Sequence, residues 1–318
     1  MSLSCPASPA RIARALFAFA CALLLALPLA ACENQDDYVV LGESSGSTAE
    51  PIAAEPLEGI DASSRVVALS RSVGELWLLA GGELAGTTDD GLTLPNINED
   101  ATSIGTLTSP DLEKVKELKP DLVLLTEDLP SHQAARKDLQ AADIPVLVVD
   151  INSFDDYAAA MAELTEATGR SDLYERNVTN VSKQVDEVIA NSAKEDRGTY
   201  VALRISESKS TALGSDSFVC DMLDDLGLTN KADGESASPK EVAAADPDWI
   251  FVVYQGNEGK AQEAFEGVFA SDPAWSELRA VREGHVVMLP KPLFQYKPNA
   301  KWGEAYAYLS QVLHGAWA

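Results

Sequence analysis

Twice along this chain a short amphipathic helix pattern passes through Pro-Asp into an unbroken apolar run. The first instance is Leu112-Glu113-Lys114-Val115-Lys116-Glu117-Leu118-Lys119-Pro120-Asp121-Leu122-Val123-Leu124-Leu125. The second is Lys240-Glu241-Val242-Ala243-Ala244-Ala245-Asp246-Pro247-Asp248-Trp249-Ile250-Phe251-Val252-Val253. Strands made only of apolar residues suit parallel sheets, whose two faces are both covered by helices. Between the two units, Tyr174, Val178, Val181, Val185 and Val188 recur at spacings of 4, 3, 4 and 3. That spacing draws one narrow stripe along a helix over residues 171–197. Asp172 followed by Glu175 predicts a capping box with Asp in the usual Ser or Thr place, and Gly198 is a natural stop. About 24 helical residues at roughly 1.5 Å each reach on the order of 36 Å, the width of a small domain. The pattern predicts an α/β protein of two lobes with mostly parallel sheets, residues 65–170 and 198–318, joined by one long helix. The space between two lobes is a usual place for a ligand.

The chain opens with Arg11 and Arg14 before an uncharged run, residues 15–31, that ends in Leu29-Ala30-Ala31-Cys32. A short positive region, an apolar core and small residues before a cut describe an export signal over residues 1–31. The run is short for a spanning helix and leads into acidic, polar sequence. Cys32 directly after Leu-Ala-Ala resembles a bacterial lipobox, which implies a lipidated first residue carrying palmitate and a body anchored outside the cytoplasm. Cleavage there removes Cys5 and Cys21 and leaves Cys220 as the remaining thiol, so no internal disulfide is expected. Residues 32–64 are rich in Glu, Asp, Ser, Gly and Ala, the composition of a flexible acidic tether.

The formal charge of −26 becomes about −28 once the two signal arginines are gone. Nucleic-acid phosphates would be repelled by such a body, and so would an anionic membrane surface, which leaves lipid as the attachment.

In the first lobe, strands are expected at residues 66–70, 84–90, 103–106, 121–125 and 144–150, with a helix at 73–80 and another at 154–167. Ligands of parallel sheets collect outside the carboxyl ends of the strands. The residues there are Ser70, Arg71, Thr88, Asp89, Thr106, Thr108, Glu127 and Asp128, each with solvated-loop duty as the alternative. In the second lobe, strands are expected at 199–203, 248–254 and 286–289, and helices at 218–226 and 300–313. Arg204 and Lys209, expected in a loop directly after a buried strand, offer an anionic contact or ordinary surface charge. Residues 290–298 read as an irregular segment holding Phe294, Gln295, Tyr296 and Lys297. Aromatics beside a Lys suit a flat or bulky ligand, or packing under a long loop; Tyr254 closes the middle strand.

The residues carry a resemblance through the whole body. Arg65-Val66-Val67-Ala68-Leu69-Ser70, Ser109-Pro110-Asp111-Leu112-Glu113 leading to Lys119-Pro120-Asp121-Leu122-Val123, and Asp272-Pro273-Ala274-Trp275 followed by Gly284-His285-Val286 stand in one order over some 250 residues. In that order the chain resembles the substrate-binding proteins of ABC importers for iron complexes and cobalamin, the class with a rigid inter-lobe helix. The resemblance implies two Rossmann-like lobes, little hinge motion, a monomer, and docking on a permease dimer with its ATPase through an acidic residue at each lobe tip. In the first lobe that position matches Glu113. In the second, Ser238-Pro239-Lys240-Glu241 puts Lys where the family usually has Glu, and Glu241 is the expected substitute.

An anionic ferric siderophore needs local positive charge, which Arg71, Arg204, Lys209 and Lys297 can supply through charge-assisted hydrogen bonds. Thr88, Thr106, Glu127, Tyr254 and Tyr296 complete the expected ligand-binding set. Haem receptors of this family often place a Tyr ligand just after the third strand, where this chain has Gly105-Thr106-Leu107; Tyr254 or Tyr296 could substitute. Cobalamin would rest on Tyr254, Phe294 and Tyr296. The expected order of cargo is ferric siderophore, haem, corrinoid, with no resident cofactor. A zinc or manganese site wants several His or carboxylates in one shell, and His132, His285 and His314 are scattered. The alternatives of another class are an exported enzyme and an adhesive lipoprotein. The Gly-x-Ser-x-Gly elbow, the His-Glu-x-x-His helix and the phosphate loop are all absent, and no catalytic residue is expected.

Overall fold

A computed structural model describes residues 39–41, 57–192, 197–232, 234 and 237–315. The export signal and Cys32 lie outside the described residues, as does most of the expected tether. Strands β1 (Val39–Leu41), β2 (Val66–Ala68), β3 (Leu84–Thr87), β4 (Thr102–Ser103), β5 (Gly105–Thr106), β6 (Ser109–Pro110), β7 (Leu122–Leu125) and β8 (Val146–Val149) belong to the first lobe. Its main sheet runs β1-β8-β7-β2-β3-β4, and every neighbouring pair is parallel. The second lobe holds β9 (Thr199–Ile205), β10 (Ser210–Ala212), β11 (Thr229–Asn230), β12 (Trp249–Tyr254) and β13 (Val286–Met288). Here β12 and β13 follow β9 in parallel, while β10 folds back antiparallel on the other side of β9 and β11 pairs its beginning.

The strands alternate strictly between two cores, the period-2 rule at work. Val66, Ala68, Leu122, Leu124, Leu147 and Val149 enter one large cluster, and Val67, Leu69, Val123, Leu125, Val146 and Val148 another. From the second lobe Tyr200, Ala202, Phe251 and Val253 join the first cluster, while Val201, Leu203, Ile250 and Val252 face a third. One apolar core therefore passes through both lobes. The linking helix runs through it as α5 (Ser171–Tyr174), a single π-turn over Glu175–Thr179, and α6 (Asn180–Ser192). Val178, Val181 and Val185 are buried in that core, with Tyr174 and Val188 packed on its rim.

The repeated sequence unit is a repeated structure. Helix α2 (Leu112–Glu117) leads through Lys119, at φ 47°, into Pro120 and Asp121. Helix α8 (Pro239–Ala245) leads through Asp246, at φ 41°, into Pro247 and Asp248. Asp121 then donates its N–H to the Arg65 carbonyl at 2.9 Å and accepts the Arg65 N–H on Oδ2 at 2.7 Å. Asp248 does the same with Thr199, at 2.9 Å and 2.7 Å, and its carboxylate also meets the Arg279 guanidinium at 2.6 Å.

Several local expectations give way to specific interactions. Asp172 does not cap: the linking helix starts at Ser171 with Arg170 as N-cap, and Arg170 takes both Asp172 oxygens at 2.8 Å. The expected third strand is cut at Gly105, φ 92°, and its second half turns into a small ribbon with β6. Arg204 belongs to β9 rather than to the loop after it, because β10 extends the pairing through Arg204 and Ile205. Residues 290–298 contain a helical turn, α12 (Lys291–Phe294). Within the stretch expected as tether, β1 pairs along β8, and Leu57 and Ile60 pack against the core.

The Asp248 clasp makes a measurable contribution. Its carboxyl is held below the usual carboxylate range, first by the Thr199 N–H. A depressed folded-state pKa stabilises above the unfolded value, about 3.9, and that stabilisation is lost as pH falls through the folded one. Asp248→Ala is expected to cost about 2 kcal/mol in urea melts at pH 7, the scale of a hydrogen bond to a charged acceptor. The gap to the parent chain should shrink below about pH 4.

Candidate functional site

At the carboxyl ends of the strands the two lobes face each other across a cleft of about 870 Å³, its open mouth included. That lies within the ordinary range for small-molecule sites. Ser70 and Arg71 reach it from the end of β2 and the start of α1 (Arg71–Leu79), Thr126 and Asp128 from the end of β7, and Ile151 from the end of β8. The second lobe contributes Arg204, Gln255, Gln295, Tyr296 and Lys297. Phe218, the first residue of α7 (Phe218–Asp225), forms part of the apolar wall.

Three cations line the cleft, and two are already engaged. Ser70 caps α1 through the Val73 N–H and so sets Arg71 at the first helical position. Arg71 donates to the Asp90 carbonyl at 2.7 Å and to Thr93 Oγ1 at 2.6 Å, with its guanidinium 5.1 Å from the Tyr296 ring centre. Lys291 lies 5.4 Å from the same ring, so Tyr296 has cations on two approaches. Lys297 crosses between lobes. Its N–H donates to Ser72 Oγ at 3.2 Å, its ammonium donates to the Ile151 carbonyl, and Nζ stands 3.5 Å from Asp128 Oδ2 and 5.1 Å from the Phe218 ring. Two residues on, buried Asn299 donates to the Ser72 carbonyl at 3.1 Å and to Glu75 Oε2 at 2.8 Å. Loop 295–299 is thereby stapled to α1 and the end of β8.

Arg204 differs. Its Nε is buried without a hydrogen-bond partner among the described residues, and so is Gln295 Oε1. Burial pulls the Arg204 guanidinium below its ordinary pKa, with Asp128, Cys220 and Asp216 opposing. On the first lobe, burial pushes the Asp150 carboxyl up against the pull of its bond from Thr126 Oγ1 at 2.7 Å. A guanidinium that shares a cleft lining with a lysine gives that cleft local positive charge, which favours anionic oxygen.

Of the residues singled out in the sequence, Arg71, Arg204, Tyr296 and Lys297 meet at the cleft. Thr88, Thr106, Glu127, Lys209 and Tyr254, the rest of the expected ligand-binding set, lie outside its lining. Thr88 is fully buried and donates to Asp90 Oδ1 at 2.7 Å, which steadies the loop that holds Arg71. Thr106 is exposed on the ribbon beyond Gly105. Glu127 turns away into an ion pair with Arg136. Lys209 is exposed at the end of a turn closed by Ser206. Tyr254 packs edge-on against Phe265 at 6.3 Å, and its neighbour Gln255 faces the cleft instead. Ser70 and Asp128, noted at strand ends, and Gln295, noted in the irregular segment, line the cleft as well, and Gln255 is polar lining that no sequence pattern singled out. His132 is buried and accepts the Thr126 N–H on Nδ1 at 3.4 Å, while His285 stacks on Trp249 at 4.0 Å. Among the described residues no group of three His, Cys, Asp or Glu is arranged to hold a metal ion.

The starts of the two equivalent helices differ in charge. Asp111 caps α2 and Ser238 caps α8, so Glu113 and Lys240 occupy equivalent second positions. The Glu113 side chain is 82% exposed beside Lys116 at 3.1 Å. Glu241 folds back into a capping box, accepting the Ser238 N–H and hydroxyl at 2.8 Å each.

A family model described as Periplasmic binding protein matches residues 66–293. The Fe(3+)-citrate-binding protein YfmC of Bacillus subtilis is 26% identical over 194 residues, and the match spans 59% of either chain. The uncharacterized ABC transporter substrate-binding lipoprotein YvrC of the same organism is 28% identical over 286 residues, 84% of this chain and 87% of its own. The crystal structure of S. aureus IsdE complexed with heme superposes with a TM-score of 0.72 at 18% identity, covering 79% of this chain and 99% of that one. At such identity the likeness is one of fold. With the family model running through both lobes and the helix between them, the chain belongs to the periplasmic binding protein family.

Proposed function

We propose that this protein is the substrate-binding component of an ABC importer, and that it captures an anionic ferric siderophore in the cleft and delivers it to a permease dimer with its ATPase. The observation that carries the reading is Arg204, a cleft-lining arginine whose buried Nε has no hydrogen-bond partner among the described residues, in a cleft shared with Lys297 and Arg71. A guanidinium with an unmet donor is costly to bury, and an iron chelate with carboxylate or catecholate oxygens brings it opposite charge in the cleft. YfmC, described as a binder of ferric citrate, supports an anionic iron chelate. Haem is the second reading, since IsdE was solved with heme. Of the two tyrosines considered as axial ligands only Tyr296 lines the cleft, and its ring lies between two cations. The protein acts as a lipid-anchored monomer outside the cytoplasm, with Cys32 as the lipidated residue. The description of YvrC as a lipoprotein supports that placement. Docking on the permease uses Glu113 at one lobe tip; at the other, Glu241 is tied into its own helix cap and Lys240 is the outward charge.

Titration of the purified protein with ferric citrate, a ferric tris-catecholate, haem and cobalamin tests the reading, followed by tryptophan fluorescence and calorimetry. Trp302 stands edge-on to the cleft residue Phe218 at 6.0 Å and is the expected reporter. Saturable binding of an anionic ferric chelate is the expected result; preference for haem moves the cargo to the second reading, and silence across the panel refutes capture.

Arg204→Gln is expected to weaken binding of the anionic chelate by roughly 30-fold, about 2 kcal/mol, as for loss of a charge-assisted hydrogen bond. An unchanged dissociation constant would remove Arg204 from the site.

A further inference from the structure

The cleft contains a carboxylate that an anionic cargo has to contend with. Asp90 and Asp128 both line it. Asp90 is fixed, its Oδ1 accepting from Thr88 at 2.7 Å. The neighbouring Asp150 is also fixed, by Thr126 Oγ1 at 2.7 Å and the Glu127 N–H at 3.0 Å. Glu127 is taken by Arg136. Asp128 stands apart: among the described residues its carboxylate has Lys297 Nζ, at 3.5 Å, as its close partner, and its side chain is 47% exposed. It also acts electrostatically on Arg204.

Resting on the reading that the cleft takes an iron chelate, we propose that Asp128 is a built-in counter-ion, and that an anionic chelate is captured by exchange, its oxygens taking the place beside Lys297 that Asp128 holds. The exchange leaves nothing orphaned. Lys297 keeps the Ile151 carbonyl and the Phe218 ring. Asp128, already half in water, moves out at little cost, as exposed ion pairs contribute only fractions of a kcal/mol to about 1. Arg204, which Asp128 supports electrostatically, has the anionic oxygens of the chelate in its place. The device favours release as well as selection, because Asp128 returns to Lys297 when the chelate leaves. A neutral chelate has no anionic group to contend for Lys297 and is indifferent to the exchange.

The test is isothermal titration of the full chain and its Asp128→Asn variant with three probes: ferric citrate and a ferric tris-catecholate, both anionic, and a neutral ferric trihydroxamate. Asp138→Asn removes a charge from an exposed residue outside the cleft lining and serves as the comparison; matching thermal melts exclude misfolding. Asp128→Asn is expected to tighten both anionic chelates about fivefold, while the neutral probe and Asp138→Asn change less than about twofold. Weaker anionic binding in Asp128→Asn would make Asp128 a direct ligand contact and overturn the exchange. Equal binding by parent and variant would also overturn it while leaving chelate capture intact. Absence of binding to any probe by the parent chain would refute the iron-chelate reading, and the exchange with it.

Discussion

In each lobe one aspartate closes a ring with the strand beside it, accepting a backbone N–H on its side chain while donating its own to the same residue's carbonyl. Asp121 does this with Arg65 and Asp248 with Thr199. The chain reaches each aspartate through a left-handed residue and a proline, a strained path for Lys119 and Asp246. Two bonds, one of them charge-assisted, offset that strain and fix the register of β7 on β2 and of β12 on β9. Since those pairs carry Ser70, Asp128, Arg204 and Gln255 at their far ends, the clasps at the base determine where the cleft residues stand at the top.

The lobes are joined more firmly than a single connecting helix requires. One apolar cluster passes through both of them, and loop 295–299 adds a polar staple to Ser72, Glu75 and Ile151. The same staple occupies much of the positive charge in the cleft. Lys297 and Arg71 are structural and receptive at once, whereas Arg204 has a donor left over. On the proposed reading, a cleft built this way would select cargo by local charge at fixed separation, in a body whose overall charge is strongly negative.

The fold was legible because its signals are local. Stripes of valines and apolar runs after Pro-Asp depend on spacing within a few residues, and both pairs of core faces follow from strict alternation. The site was half legible. Arg71, Arg204, Tyr296 and Lys297 stand out as charge or aromatic residues at strand ends and in one irregular segment. Choosing Asp128 over its neighbour Glu127 required knowledge of Arg136, which claims Glu127 from the next helix. Thr106 was lost to a reversal at Gly105, and Lys209 to the tight turn from Ser206. The bond from Lys297 to Ile151 spans 146 residues, and no local pattern announces it. The helix start was misread for a simpler reason: Arg170, two residues upstream, takes Asp172 before the backbone can.

The three residues of β1 matter beyond their length. They lie along β8, whose four residues Val146–Val149 are apolar throughout and whose other side already pairs with β7. An apolar strand with one open edge is a template for pairing with another chain. By lying along that edge, Val39–Leu41 cover it, and a form cut back past Leu41 would leave the apolar edge of β8 open to pairing with another chain.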